Sequence, residues 1–255
     1  MRVAVFDSGI GGITVLKELR KRFPAFDFIY YGDTANVPYG TKSHSQIKSL
    51  VKAASLEIKK MNVDAMVIAC NTAACIALDE CKSIMGNTPV YSVVEAGITT
   101  ISCLLQNDSS QNVLILGTKA TVRSKTYSNE LKKNMGSSIH VFEQECPLLV
   151  PMIEEGWIDH PILQQTVEEY IKPYIKLSSG IVFLACTHYP WIKNAFEKAL
   201  PNWNVIDSAA LVGEMLSQDS KNKNTHSLAN GKMTWHFTDQ EAVSDRVQLE
   251  EQIQF

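Results

Sequence analysis

The chain has 255 residues, of which 45% are hydrophobic and 20% charged, enough apolar side chains for one large or two modest cores and too many for a disordered chain. Lys plus Arg number 24 against 27 Asp plus Glu, a net charge of −3, which argues against a nucleic-acid partner. The densest basic run, residues 17–22, alternates with apolar residues as a solvated helix face does. The longest uncharged apolar run, residues 65–78, is too short to span a bilayer. The N-terminal residues lead directly into a strand-like segment without an export signal, so no membrane association is expected. Six scattered cysteines (70, 75, 81, 103, 146 and 186) fit the reduced thiols of a cytoplasmic protein better than a disulfide scaffold.

Short apolar runs alternate with amphipathic stretches along the chain. Strands are predicted at residues 3–6, 28–31, 65–69, 90–94, 113–116, 139–142, 181–185 and 204–206. From Ser43 onward, Ile47, Leu50, Val51, Ala54, Ile58 and Met61 share one helical face, and residues 161–177 repeat the pattern through Leu163, Val167, Tyr170, Ile171 and Tyr174. The polar stretch 217–234 reads as a surface loop before a last strand-like run at 235–238. Strands apolar throughout, rather than alternating, predict mainly parallel sheets covered by helices on both faces, an α/β fold.

The strand ends repeat. Asp7-Ser8, Gly32-Asp33, Cys70-Asn71-Thr72 and Glu95 in the first half correspond to Gly117-Thr118, Glu143, Cys186-Thr187 and Asp207-Ser208 in the second. The offsets are nearly constant, 110 residues from Ser8 to Thr118 and 116 from Cys70 to Cys186. Two similar lobes follow, related by a pseudo-twofold axis with the site in the cleft between them. Residues 1–96 with 207–255 form the lobe carrying Cys70, and 97–206 the lobe carrying Cys186.

Ligands of parallel sheets bind beyond the carboxyl ends of the strands, where this chain places hydroxyl, amide and thiol groups and helix N-termini able to hold carboxylates. Asp7-Ser8-Gly9-Ile10-Gly11-Gly12 lacks the spacing of the dinucleotide fingerprint and the ending of a P-loop; its glycines permit a tight turn. If the lobes face each other, Cys70 and Cys186 oppose across one cleft. That arrangement suits removal of a proton from one face of a carbon and its delivery to the other. A thiol needs help to ionise; Asp7 is the candidate helper for Cys70 and His188 for Cys186. Cys75, Cys81 and Cys103 read as small buried hydrophobes, and Glu154 as the exposed end of a short helix. With no C-x₂-C or His-x₃-His pair, no metal site is expected.

Taken together, Asp7 to Gly12, Tyr31-Gly32-Asp33-Thr34-Ala35-Asn36-Val37-Pro38-Tyr39-Gly40, Ala69-Cys70-Asn71-Thr72-Ala73, Gly117-Thr118, Thr121-Val122, Cys146-Pro147-Leu148-Leu149-Val150-Pro151 and Cys186-Thr187-His188-Tyr189-Pro190 resemble the glutamate racemase family over nearly the whole chain. The resemblance implies two α/β lobes and a cofactor-independent enzyme that makes D-glutamate for peptidoglycan. It implies that Cys70 exchanges a proton with D-glutamate and Cys186 with L-glutamate, assisted by Asp7 and His188, with Glu154 as a supporting carboxylate. Ser8, Pro38, Tyr39, Gly40, Asn71, Thr72, Thr118, Thr121 and Thr187 match positions around the substrate, and a homodimer is the common assembly. Ala74, Ala96 and Ala120 depart from the residues usual there and are expected to reshape the pocket slightly. The chain starts almost at its first strand, so activation by a cell-wall precursor through an N-terminal extension is not expected. The rival readings are a relative acting on aspartate and a two-lobed amino-acid binding protein without catalysis.

Overall fold

The computed structural model describes residues 1–106, 111–220 and 231–244. The first part of the chain runs β1 (Arg2–Asp7), α1 (Ile13–Arg22), β2 (Asp27–Gly32), α2 (His44–Lys60), β3 (Ala65–Ile68), α3 (Asn71–Met85), β4 (Val90–Ser92) and α4 (Val93–Gln106). It continues with β5 (Asn112–Gly117), α5 (Lys119–Ser124), α6 (Thr126–Met135), β6 (His140–Glu145), α7 (Leu149–Glu154), α8 (Pro161–Ile171) and β7 (Gly180–Ala185). Last come α9 (Lys193–Ala199), β8 (Trp203–Asp207), α10 (Ala209–Ser220), β9 (Met233–Phe237) and α11 (Glu241–Ser244).

Among the described residues every strand pairing is parallel. One sheet has the order β4-β3-β1-β2-β9 and the other β6-β5-β7-β8. Reading the second in reverse gives 8-7-5-6 beside 4-3-1-2, so β5 to β8 repeat the order of β1 to β4 and the α/β reading holds. The terminal β9 joins the first sheet beside β2.

Burial follows the strand period. On β5 and β7, Val113, Ile115, Ile181, Phe183 and Ala185 pack into a core continuous with the first sheet. Their neighbours Leu114, Leu116, Val182, Leu184 and Cys186 face a second core with α7, α8 and α9. Each fully buried Val, Leu or Ile contributes roughly 1.5–3 kcal/mol, and this two-sided covering is why the strands are apolar throughout. Helix α2 begins where the sequence indicates. Ser43 Oγ accepts from Gln46 N and Gln46 Oε1 accepts from Ser43 N, a reciprocal cap, and Ile47, Val51, Ala54 and Ile58 are buried.

Four element boundaries differ from expectation, the first being β6, which runs past residue 142 to Glu145 and so carries Glu143 inside the strand. Strand β4 stops at Ser92, because Ser92 Oγ accepts from Val94 N at 3.1 Å and starts α4 there; Glu95 therefore lies in a helix, paired with Lys82, and not at a strand end. Helix α8 ends at Ile171 and gives way to a 3₁₀ turn at Lys172–Tyr174, since Pro173 has no N–H to continue the helix. The expected loop at 217–234 is helix up to Ser220 and strand from Met233, while 221–230 lies outside the described residues. There the register Phe28↔Met233 and Ile29↔Thr234 extends β9 ahead of its apolar run. Cys81 is buried, but Cys75 is half-buried and Cys103 exposed; the α4 period turns Ile98, Ile101 and Leu105 inward and Cys103 outward. Ala74, Ala96 and Ala120 are all buried. Among the described residues no helix is long and apolar enough to cross a membrane.

Candidate active site

The registers Phe6↔Ile68 and Gly117↔Ala185 place Asp7-Ser8 and Cys70 at the carboxyl edge of one sheet, and Thr118 and Cys186 at that of the other. These two edges meet. Thr187 Oγ1 donates to Asp7 Oδ2 at 3.2 Å and Thr14 Oγ1 to the Thr187 carbonyl at 3.0 Å. The hydroxyls of Thr72, Thr118 and Thr121 form a mutual triangle of 2.9–3.1 Å. A Cβ on Gly11 would fall on the His188 ring and on Thr187 Oγ1, and one on Gly40 would sit 2.6 Å from Thr118 Cβ. Glycine is what allows these two loops to approach so closely.

Cys70 is the N-cap of α3. Its Sγ accepts from Ala73 N at 3.5 Å and donates to Ser8 Oγ at 3.4 Å. A helix N-terminus favours a thiolate, but burial and the nearby Asp7 carboxylate outweigh it and push the thiol up to about 11. Asp7 itself is fully buried. Its Oδ1 accepts from Gly9 N at 2.8 Å, yet burial still raises its carboxyl above the ordinary 3.8, against the pull of His188 and of the Gly9 and Gly12 N–H groups and Thr187.

Cys186 has a different neighbour. Its Sγ lies 4.0 Å from His188 Nδ1, and His188 Nε2 is 3.1 Å from Glu154 Oε1. A carboxylate at Glu154 can only accept, so that contact calls for a proton on Nε2, and in the neutral ring Nδ1 then offers its lone pair to the sulfur. Burial is the largest influence raising the Cys186 thiol, with Cys70, Asp7 and Cys146 adding to it. Glu154 is thus no exposed helix end: its side chain is 17% exposed and reaches His188, 34 residues along the chain.

The segment before α2 closes over the same edge. Tyr39 is buried and its hydroxyl donates to Asp33 Oδ2 at 2.6 Å, whereas Pro38 is exposed. Asp33 also accepts from Asn36 and Thr238, so it anchors this segment, a part the motif alone did not indicate. Tyr127, whose hydroxyl donates to Asn71 Oδ1 at 2.6 Å, is not singled out by sequence, its partner being remote in the chain; for Gly11 the motif indicates a turn glycine but not its contact with Thr187 and His188. A surface groove of about 430 Å³ lined by His160, Trp191 and Lys198 holds none of the predicted site residues. Asp7, Thr72, Thr118, Thr121 and Thr187 lie instead in the seam between the two sheets.

Residues 13–216 match the Asp/Glu/Hydantoin racemase family. The chain is similar to the glutamate racemase of Sulfurihydrogenibium sp. (strain YO3AOP1), 39% identical over 97% of this chain and 92% of the relative. It is 36% identical to that of Aquifex aeolicus (strain VF5), with the same coverage of both chains. Among solved structures it superposes on glutamate racemase from Francisella tularensis subsp. tularensis SCHU S4 in complex with D-glutamate with a TM-score of 0.86 and 33% identity, covering 93% of this chain and 88% of that one. Glutamate racemase from Campylobacter jejuni subsp. jejuni gives a TM-score of 0.87 at 31% identity over the whole of both chains.

Proposed function

The chain belongs to the glutamate racemase family, within the Asp/Glu/Hydantoin racemases, and on that premise we propose that it interconverts L- and D-glutamate through the two thiols Cys70 and Cys186. The observation that carries the mechanism is the pair of thiols at equivalent strand ends of two facing sheets, each with its own acid–base neighbour.

The reaction removes the Cα proton from one face and returns a proton to the other. From D-glutamate, Cys70 as thiolate takes the Cα proton and Cys186 as thiol donates to the opposite face; from L-glutamate the roles exchange. At neutral pH both buried groups rest as thiols, since burial raises both. The rare thiolate is correspondingly basic, which helps against a weakly acidic carbon. Asp7, with its raised carboxyl, accepts a proton on the Cys70 side, and His188 Nδ1, held by Glu154, accepts one on the Cys186 side. Ser8, Thr72, Thr118, Thr121, Thr187, Asn71 and the Tyr39-Gly40 turn supply hydroxyl and amide groups for the substrate's ammonium and carboxylates; Pro38 leads into that turn.

On this reading the chain is a cofactor-independent isomerase that supplies D-glutamate for peptidoglycan in the cytoplasm. Residues 1–96 with 207–255, and 97–206, act as its two lobes. The exposed Trp157, Ile158 and Ile162 offer an apolar face to the proposed homodimer, which sedimentation would test. The deciding experiment is proton NMR of L-glutamate in D₂O with reduced protein and no added cofactor, alongside chiral analysis. Loss of the Cα–H signal with appearance of D-glutamate is the expected result; no exchange with glutamate would overturn the reading.

A further inference from the structure

Asn71, the first residue of α3, is 3% exposed, and its amide is engaged at one end only. Oδ1 accepts from the Tyr127 hydroxyl at 2.6 Å, while Nδ2 is buried with no hydrogen-bond partner. A buried amide N–H left unpaired is costly unless a ligand accepts from it. Tyr127 lies in the first turn of α6 and is fully buried, its ring 5.2 Å from that of Phe183 on β7. Phe183 in turn abuts Gly97 of α4, where a Cβ would overlap its ring. Burial raises the Tyr127 hydroxyl well above its ordinary 10, so it stays protonated and able to donate. The preceding residue adds a second bond in the same direction, from Thr126 Oγ1 to the Cys75 carbonyl at 3.0 Å.

We propose that Tyr127 is a positioning residue: by donating to Oδ1 it holds the Asn71 amide with Nδ2 available as a donor to a substrate carboxylate, and disfavours the flipped amide, which would spend Nδ2 on the tyrosine oxygen and cost the tyrosine O–H its acceptor. This rests on the glutamate reading. Flipped, Asn71 would set an acceptor oxygen against a carboxylate, which repels it. Asn71 follows β3 and Tyr127 follows β5 in sequence, so the bond also spans the two sheets and ties the amide's orientation to their being together.

Tyr127→Phe removes the donor and keeps the ring. The expected result is a rise of about tenfold in KM, and in the glutamate Kd measured by calorimetry. The loss falls on KM rather than kcat, and the same substitution adds nothing in an Asn71→Ala background. Unchanged KM and Kd, a loss confined to kcat, or an equal loss on top of Asn71→Ala overturns the proposal. Asn71→Asp supplies a second test should the phenylalanine variant not fold. It keeps an acceptor for Tyr127 but replaces Nδ2 by oxygen, and is expected to weaken glutamate binding more than Asn71→Ala does; binding equal to or better than that of Asn71→Ala overturns the proposal. Wild-type protein that binds glutamate without turning it over overturns the proposed function and leaves Tyr127 judged by the Kd ratios. Wild type that does neither overturns both.

Discussion

The carboxyl edges of the two sheets share one strand order and differ in chemistry. At the first, Cys70 caps an α-helix of 15 residues and contacts Ser8, with a buried carboxyl close by. At the second, Cys186 precedes only a 3₁₀ turn, Tyr189–Ile192, and faces an imidazole backed by Glu154. The thiols register the difference. Burial raises both, but two N–H groups and a hydroxyl moderate Cys70 to about 11, whereas Cys186 has one moderating N–H against burial and the neighbouring Cys70, Asp7 and Cys146, and is raised further. A repeated backbone therefore sets the two sulfurs at equivalent strand ends, and the loops beyond it give each a different acid–base neighbour, which on the proposed mechanism takes up its proton. That asymmetry suits a reaction whose two directions begin from opposite faces of one carbon.

Deleting either sulfur is the strongest way to break the comparison. Cys70→Ala and Cys186→Ala should each lower racemisation by at least about a thousandfold, the upper range for a positioned proton-transfer group. Exchange should survive one-sidedly: Cys186→Ala retains D₂O exchange on D-glutamate and Cys70→Ala retains it on L-glutamate. NMR with chiral chromatography reads both quantities, and full racemisation by either variant would remove the two-thiol assignment.

The helpers come next, with about a hundredfold expected in kcat for Asp7→Asn and for His188→Asn. The enantiomers have equal free energy, so kcat/KM must fall equally in both directions whichever helper is changed. The asymmetry is confined to kcat, where Asp7→Asn slows turnover of D-glutamate more and His188→Asn that of L-glutamate. Steady-state kinetics from both sides checks this; matching kcat losses in the two directions would mean that the helpers are shared. Glu154→Gln should cost less, about tenfold in kcat from L-glutamate, because a neutral amide oxygen still accepts from Nε2 but without the charge that strengthens the bond. A Glu154→Gln enzyme as fast as wild type would reduce that carboxylate to packing.

How much of this is legible in the sequence depends on the distance over which a signal acts. The strands, the apolar face of α2 and the paired thiols follow from local pattern and from the near-constant offset between halves. Thr187 meets Asp7 across 180 residues and Tyr127 meets Asn71 across 56, and no local periodicity records such contacts. Local pattern reads Glu154 only as a helix end, and the resemblance alone marks it as a supporting carboxylate, since its contact depends on a histidine presented by a different strand end. Strand β9 exceeded its apolar run because an edge strand needs only backbone pairing with β2, so Thr234 can belong to it. The boundary at Ser92 turned on a single side-chain cap, which a run of apolar residues conceals.

The smallest effect distinguishes the helpers by stability rather than rate. Burial raises the Asp7 carboxyl above 3.8, so between that value and its raised folded value the folded chain binds more protons than the unfolded one. Stability therefore falls as pH rises through this window, and the penalty is complete above it. Asp7→Asn carries no charge to bury and keeps an oxygen to accept from Gly9 N. It should melt at a higher temperature than wild type at pH 8, with the gap narrowing as pH falls toward 3.8, as followed by circular dichroism across a pH series. An Asn variant less stable than wild type at pH 8 would mean that the bonds from Gly9 and Thr187 to the ionised carboxylate outweigh its burial, and Asp7 would then be a fixed charge instead of a proton acceptor.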